Sequence, residues 1–326
     1  GHGEPSKNAS LQVVKKLSVL HDVEDYAIND TLDIPTQYKA IAIINPTDTF
    51  PPSHLNKLDK YMGSGGGLYI ALGRVKGDLN TSMLRKGDSL GLENWLSQRG
   101  ITIEEDFVTD VNCGTVTVRQ QQGFFVFNNQ VQFPYFPLIG NFADHLITNG
   151  IESLFLPFAS SISYSSGDTN IRIIPLAKTS EKSGQVIPPA YIDVRKNWQE
   201  SDFPFSSLTV AVAVKGKIIG NIQSKMVVIA NGSFAINGEG RQQQQVHPDN
   251  VNFTVNSIDW LSDDTGLIEL RTKGITSRPL EAIEDSKKTL YKYGNVLAPI
   301  LLILIYGLFR YQMRVRKRHN WIQGNY

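Results

Sequence analysis

The sequence is nearly devoid of cysteine, with only Cys113 among its 326 residues. One thiol cannot form an intrachain disulfide, and it cannot build a zinc site that needs several cysteines. No histidine lies near Cys113 in the sequence, so a base that would activate a catalytic thiolate is missing there. We therefore expect Cys113 to be a small, buried or half-buried side chain.

Several signatures of catalysis are missing as well. The chain has no Walker A sequence, no HExxH motif and no Gly-x-Ser-x-Gly elbow, and its six histidines are scattered. The glycine-rich segment 63–67 follows a predicted helix and precedes a predicted strand. A phosphate-binding loop has the opposite order, so we interpret these glycines as a helix end and a tight turn. No catalytic residue, metal site or cofactor is predicted.

The net charge is close to balanced, at +1, which argues against a nucleic-acid partner. Hydrophobic residues make up 41% and charged residues 19% of the chain, enough to build a globular core. Basic residues are nevertheless concentrated near the C-terminus, at Arg310, Arg314, Arg316, Lys317 and Arg318.

A long uncharged segment precedes these basic residues. Seventeen residues lie between Lys292 and Arg310 without a charge, and as a helix they would measure about 25 Å. We predict a transmembrane helix at 293–310, a linker at 276–292 and a basic tail at 311–326. The excess of basic residues after the span favours a cytoplasmic C-terminus, which places residues 1–275 outside the cytoplasm. The tail could then contact anionic lipid headgroups. A buried core helix is the alternative, disfavoured by the polybasic sequence that follows.

The remainder alternates strand and helix patterns. Apolar runs at 38–44, 68–72, 208–214 and 225–230 indicate buried strands, and helical periodicity separates several of them. This order predicts an α/β domain with a mostly parallel sheet flanked by helices. A strand would be expected before Gly1, so the sequence is interpreted as a fragment. Residues 104–205, rich in Phe, Pro, Gln and Ser, are interpreted as a β-rich insertion.

Polar residues follow the predicted strands at their carboxyl ends, the edge where ligands of parallel sheets bind. The candidate ligand-binding residues are His2, Glu4, Asn45, Thr47, Arg74, Asn231 and Ser233. His2 and Glu4 could act as an acid and a base or as metal ligands, or could instead cap the first helix and bind loop backbone.

Several segments resemble the GldG family, the gliding-motility-associated ABC transporter auxiliary proteins of Bacteroidetes. The segments are 1–5, 26–29, 44–46, 58–66 and 256–261, together with the C-terminal span. The resemblance implies a class I glutamine amidotransferase-like (flavodoxin-like) domain that faces the periplasm from the inner membrane. It also implies an N-terminal transmembrane helix and partners that are an ABC permease and an ATPase. Enzymes of that fold carry a cysteine on a strand-to-helix elbow, and neither the 72–74 nor the 230–232 segment has one.

Three functions follow as hypotheses. The leading one is a non-catalytic, membrane-anchored auxiliary subunit, possibly ligand-binding, of an ABC-transporter-like complex needed for gliding motility. The alternatives are a membrane-tethered hydrolase that uses His2 and Glu4, and a purely structural scaffold of the motility machinery.

Overall fold

The computed structural model describes residues 1–122, 125–165, 169–263 and 285–322. The chain divides into two units, Gly1–Thr276 and Ser277–Tyr326. Four helices of the first unit are α1 Leu11–Leu17, α2 Pro52–Gly63, α3 Leu92–Ser97 and α4 Pro248–Ser262. The strands are β1 Ala40–Ile44, β2 Gly67–Ala71, β3 Val75–Asp78, β4 Met83–Lys86, β5 Ile101–Ile103, β6 Phe107–Asp110, β7 Cys113–Gln122, β8 Phe125–Ile139, β9 Asn141–Phe142, β10 Leu154–Phe155, β11 Ile162–Tyr164, β12 Ile171–Lys178, β13 Ser183–Val186, β14 Ala190–Tyr191, β15 Thr209–Gly216 and β16 Ser224–Ile229.

A six-stranded sheet forms the centre of this unit, in the order β1-β2-β16-β15-β12-β9. The neighbours β1, β2 and β16 run parallel. The pairs β16–β15, β15–β12 and β12–β9 are antiparallel. The sheet is therefore mixed, which differs from the mostly parallel sheet expected from the sequence. The β16–β15 pair is antiparallel because these strands are consecutive and joined by a short connection, which favours a hairpin over a crossover.

Both faces of the central strands are buried, which explains their continuous apolar sequences. Along β2, Tyr69 packs into the core on the side of α1 and α4, whereas Ile70 packs into the core on the side of α2 and α3. Val227 and Val228 of β16 divide in the same way. Burying each such aliphatic side chain contributes about 1.5–3 kcal/mol, so the sheet is anchored from both sides.

Helix α2 lies beside the strand ends because its sequence gives it one apolar face. Pro52 occupies the first turn, where a missing backbone N–H costs little. Leu58, Tyr61 and Met62 are buried against the sheet. The helix ends at Gly63, and the Ser64 N–H bonds back to the Lys60 carbonyl.

The 104–205 stretch is rich in strands and contributes to the central sheet itself. Its strands β9 and β12 form the end of the sheet beyond β15. Other strands of this stretch pair elsewhere: β11 with β5, β13 with β6, and β14 with β4. Its aromatic side chains form a separate core that includes Phe107, Phe133 and Tyr135.

The described part of the second unit is one long helix, α5, spanning Asp285–Ile322. Its segment Tyr291–Arg316 is long and apolar enough to cross a membrane. The first part of the predicted linker, 276–284, and the last residues of the predicted tail, 323–326, lie outside the described residues.

Candidate functional site

The carboxyl ends of β1, β2 and β16 meet at one edge of the central sheet, because these three strands are parallel neighbours. A cavity of about 290 Å³ opens there. Four of the predicted residues line it: Asn45, Thr47, Asn231 and Ser233. Thus the loops that follow β1 and β16 supply one wall of the cavity.

The two loops approach each other so closely that one position must be glycine. A Cβ added at Gly232 would lie 3.0 Å from the Asn45 Cα, and closer still to the Asn45 side-chain oxygen. Asn45 itself has φ of 49°, a left-handed conformation that asparagine adopts more readily than most residues. Its N–H donates to the Ala71 carbonyl over 2.8 Å, which fixes the turn to the end of β2.

The Asn231 side chain links two of the loops that line the cavity. Its side chain is 2% exposed, and its Nδ2 donates to the Pro157 carbonyl over 2.6 Å. Its Oδ1 accepts the Ser233 N–H at 2.9 Å. Both ends of the amide are therefore used to hold the 157–158 loop and the 231–233 turn together.

The sequence did not point to the other walls of the cavity. They are formed by Pro46, Gly73, Val75, Lys76, Gly77, Asp88, Leu90, Pro157, Phe158 and Gly232. Phe158 has φ of 56°, which is strained for a bulky residue and often marks a functional site. Lys76 and Asp88 form an exposed ion pair at 2.5 Å. Glycines that follow a predicted strand were a usable signal for Gly73, but no sequence pattern ties Phe158 to this edge.

His2 lies next to the cavity and does not line it. Its ring is 4% exposed and stacks on Phe50 with a centroid separation of 3.7 Å. Its Nε2 lies 2.8 Å from His54 Nδ1, and its carbonyl accepts the N–H groups of Thr47 and Asp48, each at 2.9 Å. His2 therefore fixes the loop after β1 to the start of α2.

Glu4 holds the backbone around His2. Its Oε2 accepts the His2 N–H at 2.5 Å, and its Oε1 lies 3.7 Å from His2 Nδ1. Burial raises the pKa of the Glu4 carboxyl, but hydrogen bonds from His2 and from the Glu4 N–H, with the charge of the Gly1 amino group, together outweigh burial and bring that pKa down to about 2. The carboxylate is thus ionised at neutral pH and poorly suited to accept a proton.

Arg74 is turned away from the cavity into a cluster of charges. Its Nη1 lies 2.9 Å from Glu93 Oε1, and it also pairs with Glu105. The Arg74 and Glu93 side chains are 11% and 7% exposed, so this pair is largely screened from water. Arg74 therefore lies apart from the candidate residues that line the cavity, and its ion pair with Glu93 is structural.

The cavity combines apolar walls with amide and hydroxyl groups and with the paired charges of Lys76 and Asp88, a lining that suits a small molecule. In the part of the chain that the structure describes, no group of three or more His, Cys, Asp or Glu side chains could hold a metal ion.

Comparison with protein families identifies the chain. A family model described as an ABC-type uncharacterized transport system matches residues 1–263. The chain belongs to this family of ABC transport auxiliary proteins. It is thus an auxiliary component of an ABC-type transport system. None of the curated proteins matches the chain.

Solved structures add information on the fold of this family member. The mmIFT52 N-terminal domain matches with a TM-score of 0.50 at 14% identity, covering 80% of this chain and 94% of that one. Likeness at this identity concerns the fold alone. A putative ThuA-like protein from Parabacteroides merdae matches with a TM-score of 0.41 at 14% identity, covering 82% and 88% of the two chains. One from Bacteroides uniformis matches with a TM-score of 0.36 at 11% identity, covering 78% and 85%.

The bridging role of Asn231 predicts a large loss of stability on truncation. Asn231→Ala leaves the half-buried Pro157 carbonyl without its donor and the Ser233 N–H without its acceptor, and should lower the free energy of unfolding by about 1–3 kcal/mol. Ser233→Ala removes only a hydroxyl 3.3 Å from Asn231 Oδ1 and should cost less than about 1 kcal/mol. Urea unfolding of the two variants measures the difference. Equal losses would show that the Asn231 amide is not a bridge.

The lowered pKa of Glu4 predicts a pH-dependent contribution to stability. Because the folded-state pKa is about 2 and the reference value is 4.5, the contribution is complete above pH 4.5 and is lost as pH falls toward 2. Glu4→Gln should therefore be less stable than the parent at pH 7, with the gap shrinking steadily below pH 4.5. Thermal unfolding of both chains across this range tests the prediction, and a gap independent of pH would contradict it.

Proposed function

We propose that the chain is a non-catalytic, membrane-anchored auxiliary subunit of an ABC transport complex that serves gliding motility. Its first unit lies outside the cytoplasm, and α5 anchors it in the inner membrane with the basic C-terminal end in the cytoplasm. The strand-end cavity is its recognition site, lined by Asn45, Thr47, Asn231 and Ser233. A separate permease and ATPase provide transport and energy.

Family membership is the observation that carries this proposal, since it makes the chain a component of an ABC-type transport system. The membrane anchor is supported by the apolar segment Tyr291–Arg316. The orientation is supported by the arginines that follow position 309 in the sequence. The link to gliding motility rests on the resemblance to the GldG family.

The contacts of His2, Glu4 and Arg74 favour recognition over catalysis. His2 stacks on Phe50 and bonds to His54, Glu4 binds the His2 backbone, and Arg74 pairs with Glu93. A hydrolase that used His2 and Glu4 would need them to face the same cavity as its substrate. Neither residue is among those that line the cavity, so the hydrolase hypothesis receives no support from this geometry.

A ligand bound in the cavity would influence the transporter through binding contacts and not through a reaction in this chain. Part of the cavity wall comes from the loops after β1, β2 and β16, and these three strands belong to a sheet buried on both faces. A site built on such rigid elements can report occupancy to a partner that contacts the same loops. The work of transport is then done by the ATPase.

Affinity purification of the full chain from native membranes tests the proposal. We expect an ABC permease and its ATPase to be enriched by mass spectrometry, relative to an unrelated tagged single-span protein. Recovery of the chain without either subunit would contradict the proposed role.

A conservative double variant separates the hydrolase alternative. His2→Gln combined with Glu4→Gln should keep both subunits bound and should keep cells gliding. Loss of gliding with both subunits still bound, and with the chain folded, would favour a catalytic role for these residues.

A further inference from the structure

Strands β7 and β8 of the first unit form a two-stranded ribbon, and the outer backbone edge of β7 is open along its length. Strands β7 and β8 pair antiparallel from Thr115–Gln132 through Gln122–Phe125. The third strand of this sheet, β10, pairs only with Leu138 and Ile139, at the base of β8. Within the described ranges, β7 is therefore an edge strand whose outer side pairs with no other strand.

The ribbon lacks the features that usually protect such an edge. Natural edge strands carry charges or proline that block pairing with another chain. Residues 113–139 contain a single charged residue, Arg119, and both prolines of the ribbon lie in the base of β8. Edge strand β3, in contrast, carries Lys76 and Asp78. Because an isolated two-stranded ribbon is only marginally stable in water, the open edge of β7 favours an added strand.

The side chains of β7 alternate in a way that fits a second copy of the same strand. Val116 and Val118 are half-buried on one face, whereas Thr115, Thr117 and Arg119 are exposed on the other. All five but Arg119 are β-branched, the residue class that packs best across strands.

We propose that β7 pairs antiparallel with β7 of a second copy of this chain, about a two-fold axis at Thr117. In this register Val116 of one copy faces Val118 of the other, and Arg119 faces Thr115. The two arginines then avoid each other, and the valines form one continuous apolar strip. Centring the pair on Val118 would instead place Val116 against Gln120, which is less complementary.

Such a pair is isologous, since the same edge is used by both copies and the two-fold axis closes the assembly. It turns two ribbons into a four-stranded antiparallel sheet and satisfies the open backbone groups of both β7 strands. This pairing is independent of the role in transport, so a monomer could still bind the permease and a dimer could exist without it.

Cysteine cross-linking tests the register, because Cys113 is the chain's only thiol and can be removed with Cys113→Ser. Directly opposed residues of antiparallel strands have Cα atoms about 4.5–5.5 Å apart, within reach of a disulfide. Thr117→Cys should therefore give a covalent dimer in native membranes under mild oxidation. Gln130→Cys, which lies opposite Thr117 within the same ribbon, is the matched control and should stay monomeric.

Charge substitution tests the interface in solution. The detergent-solubilised chain should have the mass of a dimer by light scattering. Thr117→Lys places two ammonium groups face to face and should halve that mass, whereas Gln130→Lys should leave it unchanged. Circular dichroism and the unfolding temperature establish that both variants are folded.

Three results would overturn the proposal. One is a monomeric parent chain, and another is equal cross-linking from positions 117 and 130. The third is a folded Thr117→Lys variant that no longer binds the permease or ATPase, because the open edge of β7 would then be a contact with a transport subunit.

Discussion

The close approach between the loops after β1 and β16 is the constraint on which the site depends. Gly232 lies against Asn45 with no room for a Cβ, and Asn45 turns through a left-handed conformation to make this possible. Asn231 then fixes the same turn to Pro157. Any looser arrangement would separate Asn45 and Thr47 from Asn231 and Ser233, and the cavity would lose a wall.

Several polar residues at or beside this edge are engaged in structural contacts. Asn231 uses its amide for structure, Glu4 uses its carboxylate to hold the His2 backbone, and Arg74 neutralises Glu93. Each group is stabilised by a partner that a reaction would have to displace. These structural contacts are compatible with an auxiliary component of an ABC transport system.

Sequence patterns predicted the buried strands well because burial on both faces leaves a continuous apolar run. The runs at 68–72 and 225–230 correspond to β2 Gly67–Ala71 and β16 Ser224–Ile229. Strand direction was harder, since apolar content does not distinguish an antiparallel hairpin from a crossover.

Only part of the site could be predicted from the sequence, because strand positions alone do not reveal which distant segments reach the cavity. Asn45, Thr47, Asn231 and Ser233 follow strands, so their convergence could be predicted from a parallel edge. Phe158 and Pro157 reach the cavity through the 104–205 stretch, whose strands pair with partners distant in sequence. Arg74 also follows a strand, but its direction is set by Glu93 on α3, which strand position cannot reveal.

The free energy of unfolding of Gly232→Ala tests the central constraint most directly. Overpacking at a site without room should cost about 1–3 kcal/mol. Gly63→Ala is the matched control, because its Cβ would meet nothing closer than 3.7 Å. The account predicts a clear loss for Gly232→Ala and little change for Gly63→Ala. Equal stability of the Gly232→Ala chain and its parent would show that the two loops do not meet in this way.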